Sequence, residues 1–198
     1  MGKEEQSCGY RLIHGLISSC ELGRGRYYDS TFLWKSGKFP VAGERMANCD
    51  WCNLSEEDKQ FQVYESRSWS VFLSYEQDYI GRCVLVLKRH CHSLSELTDD
   101  EWEDLHKLIC KVETCLKTVL GATLCNWSCL MNSFYKESEP DPHLHVHVRP
   151  RYDKPVILNG NIYSDSEFGH HYALNKWAVI SNEDKKEVFA RLKEWMNR

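Results

Sequence analysis

Histidines alternate with apolar residues in His143-Leu144-His145-Val146-His147-Val148-Arg149. No other stretch restricts the fold as tightly. The alternation has the period of a β-strand, in which residues i, i+2 and i+4 share a face. His143, His145 and His147 are therefore expected in a row on one face, with Leu144, Val146 and Val148 entering a core on the other. The outer rings of such a row stand about 13 Å apart at roughly 3.3 Å per residue, the scale of a di- or triphosphate group. Neutral imidazole is both a metal ligand and a nucleophile, so the row suits a metal site or phosphorus chemistry. The bland alternative is an edge strand with an exposed histidine face, but histidine is not a favoured strand residue.

The remaining periodicities surround this strand with an α+β domain. Phe61–Glu65 and Trp69–Leu73 read as strands joined by the polar turn Ser66-Arg67-Ser68. Arg82–Lys88 is apolar on both faces, as a central strand would be, and Gly81 before it suggests a turn. Thr98–Leu120 is the clearest helix. Thr98 and Glu101 form a capping-box pattern, Asp99 and Asp100 add negative charge to the first turn, and Gly121 is placed to end it. Its apolar stripe reads Trp102, Leu105, Ile109, Val112, Leu116 and Val119. Thr123–Met131 and His143–Arg149 follow as strands, separated by the loop Asn132–Pro142. A second helix is expected near Asn182–Asn197, capped by Ser181 and burying Val188, Leu192 and Trp195. Three segments result: an irregular N-terminal extension over 1–45 with a short helix near Leu12–Ser19, a domain over 46–152, and a tail over 153–198 that carries the terminal helix.

Composition narrows the partners. At 42% hydrophobic and 27% charged residues the chain reads as globular. Its formal charge of −4 argues against a general nucleic-acid coat. No long apolar run marks a membrane span, and Met1-Gly2-Lys3-Glu4-Glu5-Gln6 does not resemble a signal peptide. The ten cysteines are then expected to be reduced thiols in the cytoplasm rather than disulfides, with Cys83, Cys110, Cys115, Cys125 and Cys129 acting as small hydrophobes.

Two of these cysteines form Cys49-Asp50-Trp51-Cys52. The C-x2-C spacing lets two thiolates grip one metal, although a redox pair or a purely structural pair has the same spelling. The flanking sequence does not support the redox reading. Zinc needs two further ligands; His90, at the end of the central strand, and His143 are placed to supply them. Arg149 and Arg151 straddle Pro150 just past the histidines and suit either phosphate or surface ion pairs. Trp69, Trp127 and Trp177 read as core or interface more readily than as base-stacking residues, and His170 and His171 as loop residues.

Taken together, the chain resembles the histidine triad (HIT) superfamily of nucleotidyl hydrolases and transferases. The resemblance covers about residues 46–152. It rests on His143-Leu144-His145-Val146-His147-Val148, on Cys49-x2-Cys52, and on Gly81–His90 followed by Leu94, Leu97 and Thr98. Asn132 also precedes the histidines by eleven residues, where relatives carry a nucleotide-contacting asparagine. The resemblance implies an antiparallel sheet of about five strands with a long helix packed on it, often dimerised, so a homodimer is a family expectation. It implies His145 as nucleophile and His147 as a phosphate-contacting ring. It also implies a structural zinc held by Cys49, Cys52, His90 and His143. Arg82 stands where the family usually has histidine, and Glu139 and Pro140 stand where many members carry a glutamine and a hydroxyl residue.

These features imply an enzyme that cleaves at the α-phosphate of dinucleoside polyphosphates or related nucleotides. A nucleotidyl-histidine forms and water hydrolyses it, with no catalytic cofactor. His147, Arg149 or Arg82 would offset charge on the phosphate oxygens, and Asn132 would contact the nucleotide. A nucleoside phosphoramidase or nucleotidyl transferase is the second reading, and a catalytically weak nucleotide-binding or interaction module the third. Neither a membrane nor nucleic acid is an expected partner.

Overall fold

The computed structural model describes residues 49–136, 138–171 and 180–198. The N-terminal extension over 1–45, its short helix near Leu12–Ser19, and Trp177 lie outside the described residues. The chain forms a short helix α1 (Glu56–Lys59), then strands β1 (Gln62–Glu65), β2 (Trp69–Leu73) and β3 (Cys83–Leu87). The long helix α2 (Asp99–Leu120) follows, then β4 (Leu124–Ser128), a 3-10 turn over Asn132–Lys136, and β5 (His145–Arg151). A hairpin of β6 (Val156–Leu158) and β7 (Asn161–Tyr163) precedes the terminal helix α3 (Asn182–Met196).

Five strands pair in the order β1-β2-β3-β5-β4, all antiparallel. The expected α+β architecture is therefore present, with the histidine strand inside the sheet rather than at its edge. One sheet face carries the core. Val71, Leu85, Val146 and Val148 meet Leu105, Leu108, Val112 and Leu116 of α2, with Val188, Leu192 and Met196 of α3 in the same cluster. Phe72, Val84 and Val86 point the other way and pack with Trp51 and Leu54. Central β3 is buried along its whole length, as its two-sided apolar sequence requires.

Helix α2 has the expected reciprocal cap. Thr98 Oγ1 accepts from the Glu101 amide (3.3 Å), and Glu101 Oε2 accepts from the Thr98 amide (2.9 Å). Gly121 ends it at φ 75°. The buried stripe is rotated from the expected one. Leu105, Leu108, Val112, Cys115, Leu116 and Leu120 face the sheet, whereas Trp102 is 45% exposed. Likewise Met196 is buried in α3 where Trp195 was expected to be, and Cys110 is exposed rather than an interior hydrophobe. The other cysteines of the described residues are also free thiols. No helix among the described residues is long and apolar enough to cross a membrane.

Strand β5 starts and ends two residues later than the alternation suggested. Before it, the Leu144 amide donates to Cys91 O (2.7 Å) and the Leu144 carbonyl accepts from Leu87 N (3.2 Å), so the chain is tied to the end of β3. At its far end Pro150 pairs with Cys125 of β4, beyond the last β3 partner at Val148, where no ladder amide is needed from it. Gly81 opens β3 at φ +85° with its amide on Gln77 Oε1 (2.8 Å), and a Cβ there would lie 2.6 Å from Leu120 Cδ1. Gly81→Ala combines a disfavoured backbone angle with a clash against α2. It should lower stability by about 1–2 kcal/mol, read as an earlier midpoint in urea unfolding.

Candidate functional site

Two groups of side chains meet on the sheet face away from the helices. The first joins a turn before α1 to the ends of β3 and the approach to β5. Cys49 and Cys52 are brought together by that turn, in which Cys49 O accepts from Cys52 N (3.1 Å) and from Asn53 Nδ2 (2.9 Å). His143 Nδ1 lies 3.2 Å from Cys49 Sγ and 3.6 Å from Cys52 Sγ, and His90 Nδ1 lies 3.4 Å from Cys52 Sγ. All four donor atoms fall within 4.8 Å of one another. A tetrahedral ion with bonds of about 2.3 Å to sulfur and 2.0–2.1 Å to nitrogen sets an S···N edge of about 3.5 Å, which these separations match.

The remote nitrogens of both rings are held. His143 Nε2 donates to Leu87 O (2.7 Å), which leaves Nδ1 with a lone pair facing the thiols. His90 Nε2 lies 3.0 Å from Asp141 Oδ1, and the same oxygen is 3.3 Å from His92 Nε2. A carboxylate on the far nitrogen is the usual support for a metal-binding imidazole. Asp141 drew no attention in the sequence because its role depends on a partner 51 residues away.

The second group is the histidine row itself. His145 pairs across the sheet with Val86; His147 pairs with Val84 on one side and Ser128 on the other. Their rings are 4.8 Å apart and nearly perpendicular. His145 Nδ1 donates to the His143 carbonyl (2.9 Å), so Nε2 is the nitrogen with the available lone pair. Trp51 and Phe134 each lie 5.8 Å from the His145 ring. They cover the row more than the alternation suggested, leaving His145 only 5% exposed. Asn132 is itself exposed and begins the turn that delivers Phe134. Neither aromatic was picked out by sequence reasoning, although Trp51 sits between the two cysteines.

His147 Nδ1 is buried with no hydrogen-bond partner among the described residues. The charges of Arg82 and Arg149 both act on this ring. Arg149 Nη1 donates to Ser128 Oγ (3.3 Å). Arg82 is buried and committed to two carboxylates, Glu76 (2.8 Å) and Asp78 (3.0 Å), while its Nε has no partner among the described residues. Arg151 is not at the site; it forms a buried ion pair with Asp165 (2.6 Å). Trp69 is core, with Nε1 donating to Glu101 O, and Trp127 donates to Glu113. His170 and His171 are exposed in the loop after β7.

Beside the row runs a cleft of about 270 Å³. Trp51, Leu54, Phe72 and Val86 line one part of it; Gln62, Glu65 and Lys88 line another. None of the three histidines lines it; its links to the row are Val86, the cross-strand neighbour of His145, and Trp51, whose ring lies 5.8 Å from that of His145.

Burial removes water from all three rings of the row and disfavours their charged forms. It takes His143 down to about 4. It also lowers His145, against the pull of the hydrogen bond to the His143 carbonyl. Burial, then the nearby His145, Arg82 and Arg149, takes His147 down to about 3. A ring depressed below its unfolded value near 6.5 contributes stability in full above that pH and loses it as pH falls through the folded value. His147 should therefore show no ring-proton titration between pH 8 and 5 by NMR, and its contribution to stability should decline from pH 6.5 towards about 3.

A sequence profile described as the HIT domain matches residues 55–154. The asymmetrical bis(5'-nucleosyl)-tetraphosphatase of Schizosaccharomyces pombe is 25% identical over 104 residues, 52% of this chain and 56% of that protein. The matched region thus spans just over half the length of that relative. The fold is shared with a hypothetical histidine triad nucleotide-binding protein from Sulfolobus tokodaii strain 7, at TM-score 0.53 and 18% identity over 75% of this chain and 92% of that one. It is shared also with a uridylyltransferase, at TM-score 0.55 and 21% identity over 75% of this chain and 45% of that one. With the profile spanning half of its residues, including the five-stranded sheet and the long helix, the chain belongs to the HIT domain family.

Proposed function

We propose that the chain is a nucleotidyl hydrolase that cleaves dinucleoside polyphosphates or related nucleotides at the α-phosphate, with His145 as nucleophile. The observation that carries this reading is the hydrogen bond from His145 Nδ1 to the His143 carbonyl, beside a cleft of nucleotide size. It fixes the tautomer, so neutral Nε2 can attack phosphorus in line. A P–N bond forms as the bond to the bridging oxygen breaks, and the leaving nucleotide departs with that electron pair. The ring becomes cationic, and its Nδ1–H still points at a carbonyl dipole that favours positive charge. Water then attacks the same phosphorus and gives up a proton to solvent, the P–N bond breaks with its electron pair returning to Nε2, and the nucleoside monophosphate leaves with neutral imidazole restored. Dividing one displacement into two lowers the barrier of each.

The neighbours take supporting roles. His147, with its unpartnered Nδ1, and Arg149 would contact the non-bridging oxygens. Arg82 supplies positive potential through His147 while pinned by Glu76 and Asp78. Asn132 would close over the nucleotide from its turn, and the apolar part of the cleft between Trp51 and Phe72 would take a base. The activity for which the Schizosaccharomyces pombe relative is named, on a bis(5'-nucleosyl) tetraphosphate, is compatible with this substrate class.

Cys49, Cys52, His90 and His143 would hold a structural zinc, and the donor set fits it. Burial pushes the Cys49 thiol up to about 11, against a hydrogen bond from the Cys52 backbone, and a bound cation would favour its thiolate. Bound there, zinc would clamp the turn before α1 to the start of the catalytic strand.

Wild-type protein quenched during turnover of diadenosine tetraphosphate should carry an adenylyl mass on His145. His145→Ala should lose the adduct and at least about 10³-fold in kcat. An unmodified chain with normal turnover, or an active His145→Ala, would remove the assignment. Purified protein should contain about one zinc per chain. Cys49→Ser should abolish retention and lower the thermal midpoint, and Asp141→Asn should weaken retention about 10–100-fold against a chelator. Metal-free protein of undiminished stability would sink the zinc reading.

A further inference from the structure

The cleft has a polar end that neither the covalent chemistry nor the metal cluster uses. Its position follows from the sheet register. His145 pairs with Val86, Val86 with Ser70, and Ser70 with Glu65. His147 pairs with Val84, Val84 with Phe72, and Phe72 with Gln62. Two parallel rows thus cross the sheet from the histidines on β5 to Gln62 and Glu65 on β1. Three strand spacings separate their ends, about 14 Å. Trp51 and Leu54 pack over Phe72, Val84 and Val86 along these rows, so a nucleotide with its phosphate at the histidines would run beside those two side chains to put its base near the far end.

Gln62 and Glu65 would not normally share a face, because residues three apart in a regular strand point to opposite sides. They do so here because the register slips by one residue between Gln62 and Tyr64. Val63 still enters the core, and both polar side chains are turned into the cleft, joined by a bond from Gln62 Nε2 to Glu65 Oε2 (3.0 Å). Lys88 Nζ is used on Glu65 and on Ser66 O (2.6 Å). Both Glu65 oxygens already accept, Oε1 from Lys88 and Oε2 from Gln62, and Lys59 (on Glu56, 2.6 Å) and Ser70 line the same cleft; the acceptor sites left at this end are the remaining lone pairs of the Glu65 carboxylate and the Gln62 amide carbonyl. The Lys88 ammonium keeps Glu65 below the ordinary carboxylate range, so it accepts only.

We propose that this bulged corner of β1 reads the base and selects guanine over adenine. The inference rests on the nucleotidyl reading of the site. Guanine presents N1–H and the N2 amino group side by side, two donors that one carboxylate can accept together. Adenine offers only its N6 amino group next to a ring nitrogen that is itself an acceptor. Adenine in the same pose would face the carboxylate with a ring lone pair, a repulsive contact in place of a hydrogen bond.

The test uses the wild-type full chain and two non-hydrolysable products as probes, GMP and AMP, with affinities measured by calorimetry. GMP should bind about tenfold or more tightly than AMP, the scale of one bidentate contact. Glu65→Ala should remove the preference, leaving GMP and AMP within about twofold of each other. Glu65→Gln, which keeps the bulk of the side chain, should give the same loss of preference. Equal affinities in the wild type, or a guanine preference that survives both substitutions, would overturn the proposal. If those results came with an adduct on His145, only the base reading would fall. If neither nucleotide bound and no adduct formed, the nucleotidyl reading would fall and take this one with it.

Discussion

His143 is held through both its backbone and its ring, and the site depends on that. Its carbonyl orients the His145 ring, its Nε2–H is fixed on Leu87 O, and its Nδ1 faces the Cys49 and Cys52 thiols. One residue therefore links the tautomer of the central imidazole, the pairing of β5 with β3, and the four-donor cluster. The next residue, Leu144, is fully buried on the core side and bonded to Cys91 and Leu87, so the backbone that carries the His143 carbonyl has little room to move. A nucleophile needs that kind of fixed geometry more than it needs proximity alone.

The described elements after β5 brace the sheet through the shared core. Arg151 at the end of that strand is locked by Asp165, by the carbonyls of Glu167 and His170, and by the face of Tyr79. Asp184, with no exposed surface, accepts from Asn159, Asn161 and Tyr163, which ties the β6–β7 hairpin to the start of α3. Lys185 then donates to Tyr75 O (3.1 Å) and lies over the rings of Phe61 and Tyr75. That contact reaches the loop whose Glu76 and Asp78 hold Arg82. Helix α3 is in this way connected to the loop that holds Arg82, although it lies beyond the residues matched to the HIT profile.

Local patterns in the sequence carried most of the fold. The capping box at Thr98, the glycine at 121, the two-sided apolar run of β3 and the alternation of β5 each depend on residues within a few positions of one another. The β6–β7 hairpin was missed: Asn159-Gly160, both at positive φ, is the dipeptide that favours such a turn, but the short flanking strands hid it. The phase of the α2 stripe was harder to read. Leu108 and Cys115 compete with Trp102 and Ile109 for the same amphipathic pattern, and only the facing sheet decides among them.

The sequence by itself determined that alternate imidazoles would stand along one extended run, two of them on β5 and His143 just before it, and that Cys49 and Cys52 could act together, because both follow from spacing along a chain of fixed geometry. Only the tertiary structure decided which ring faces the thiols and which keeps a free Nε2. It also turned Arg82 to Glu76 and Asp78, brought Asp141 behind His90, and placed Gln62 and Glu65 on one face. Those outcomes rest on hydrogen bonds and registers between segments far apart in sequence, and no local period encodes them.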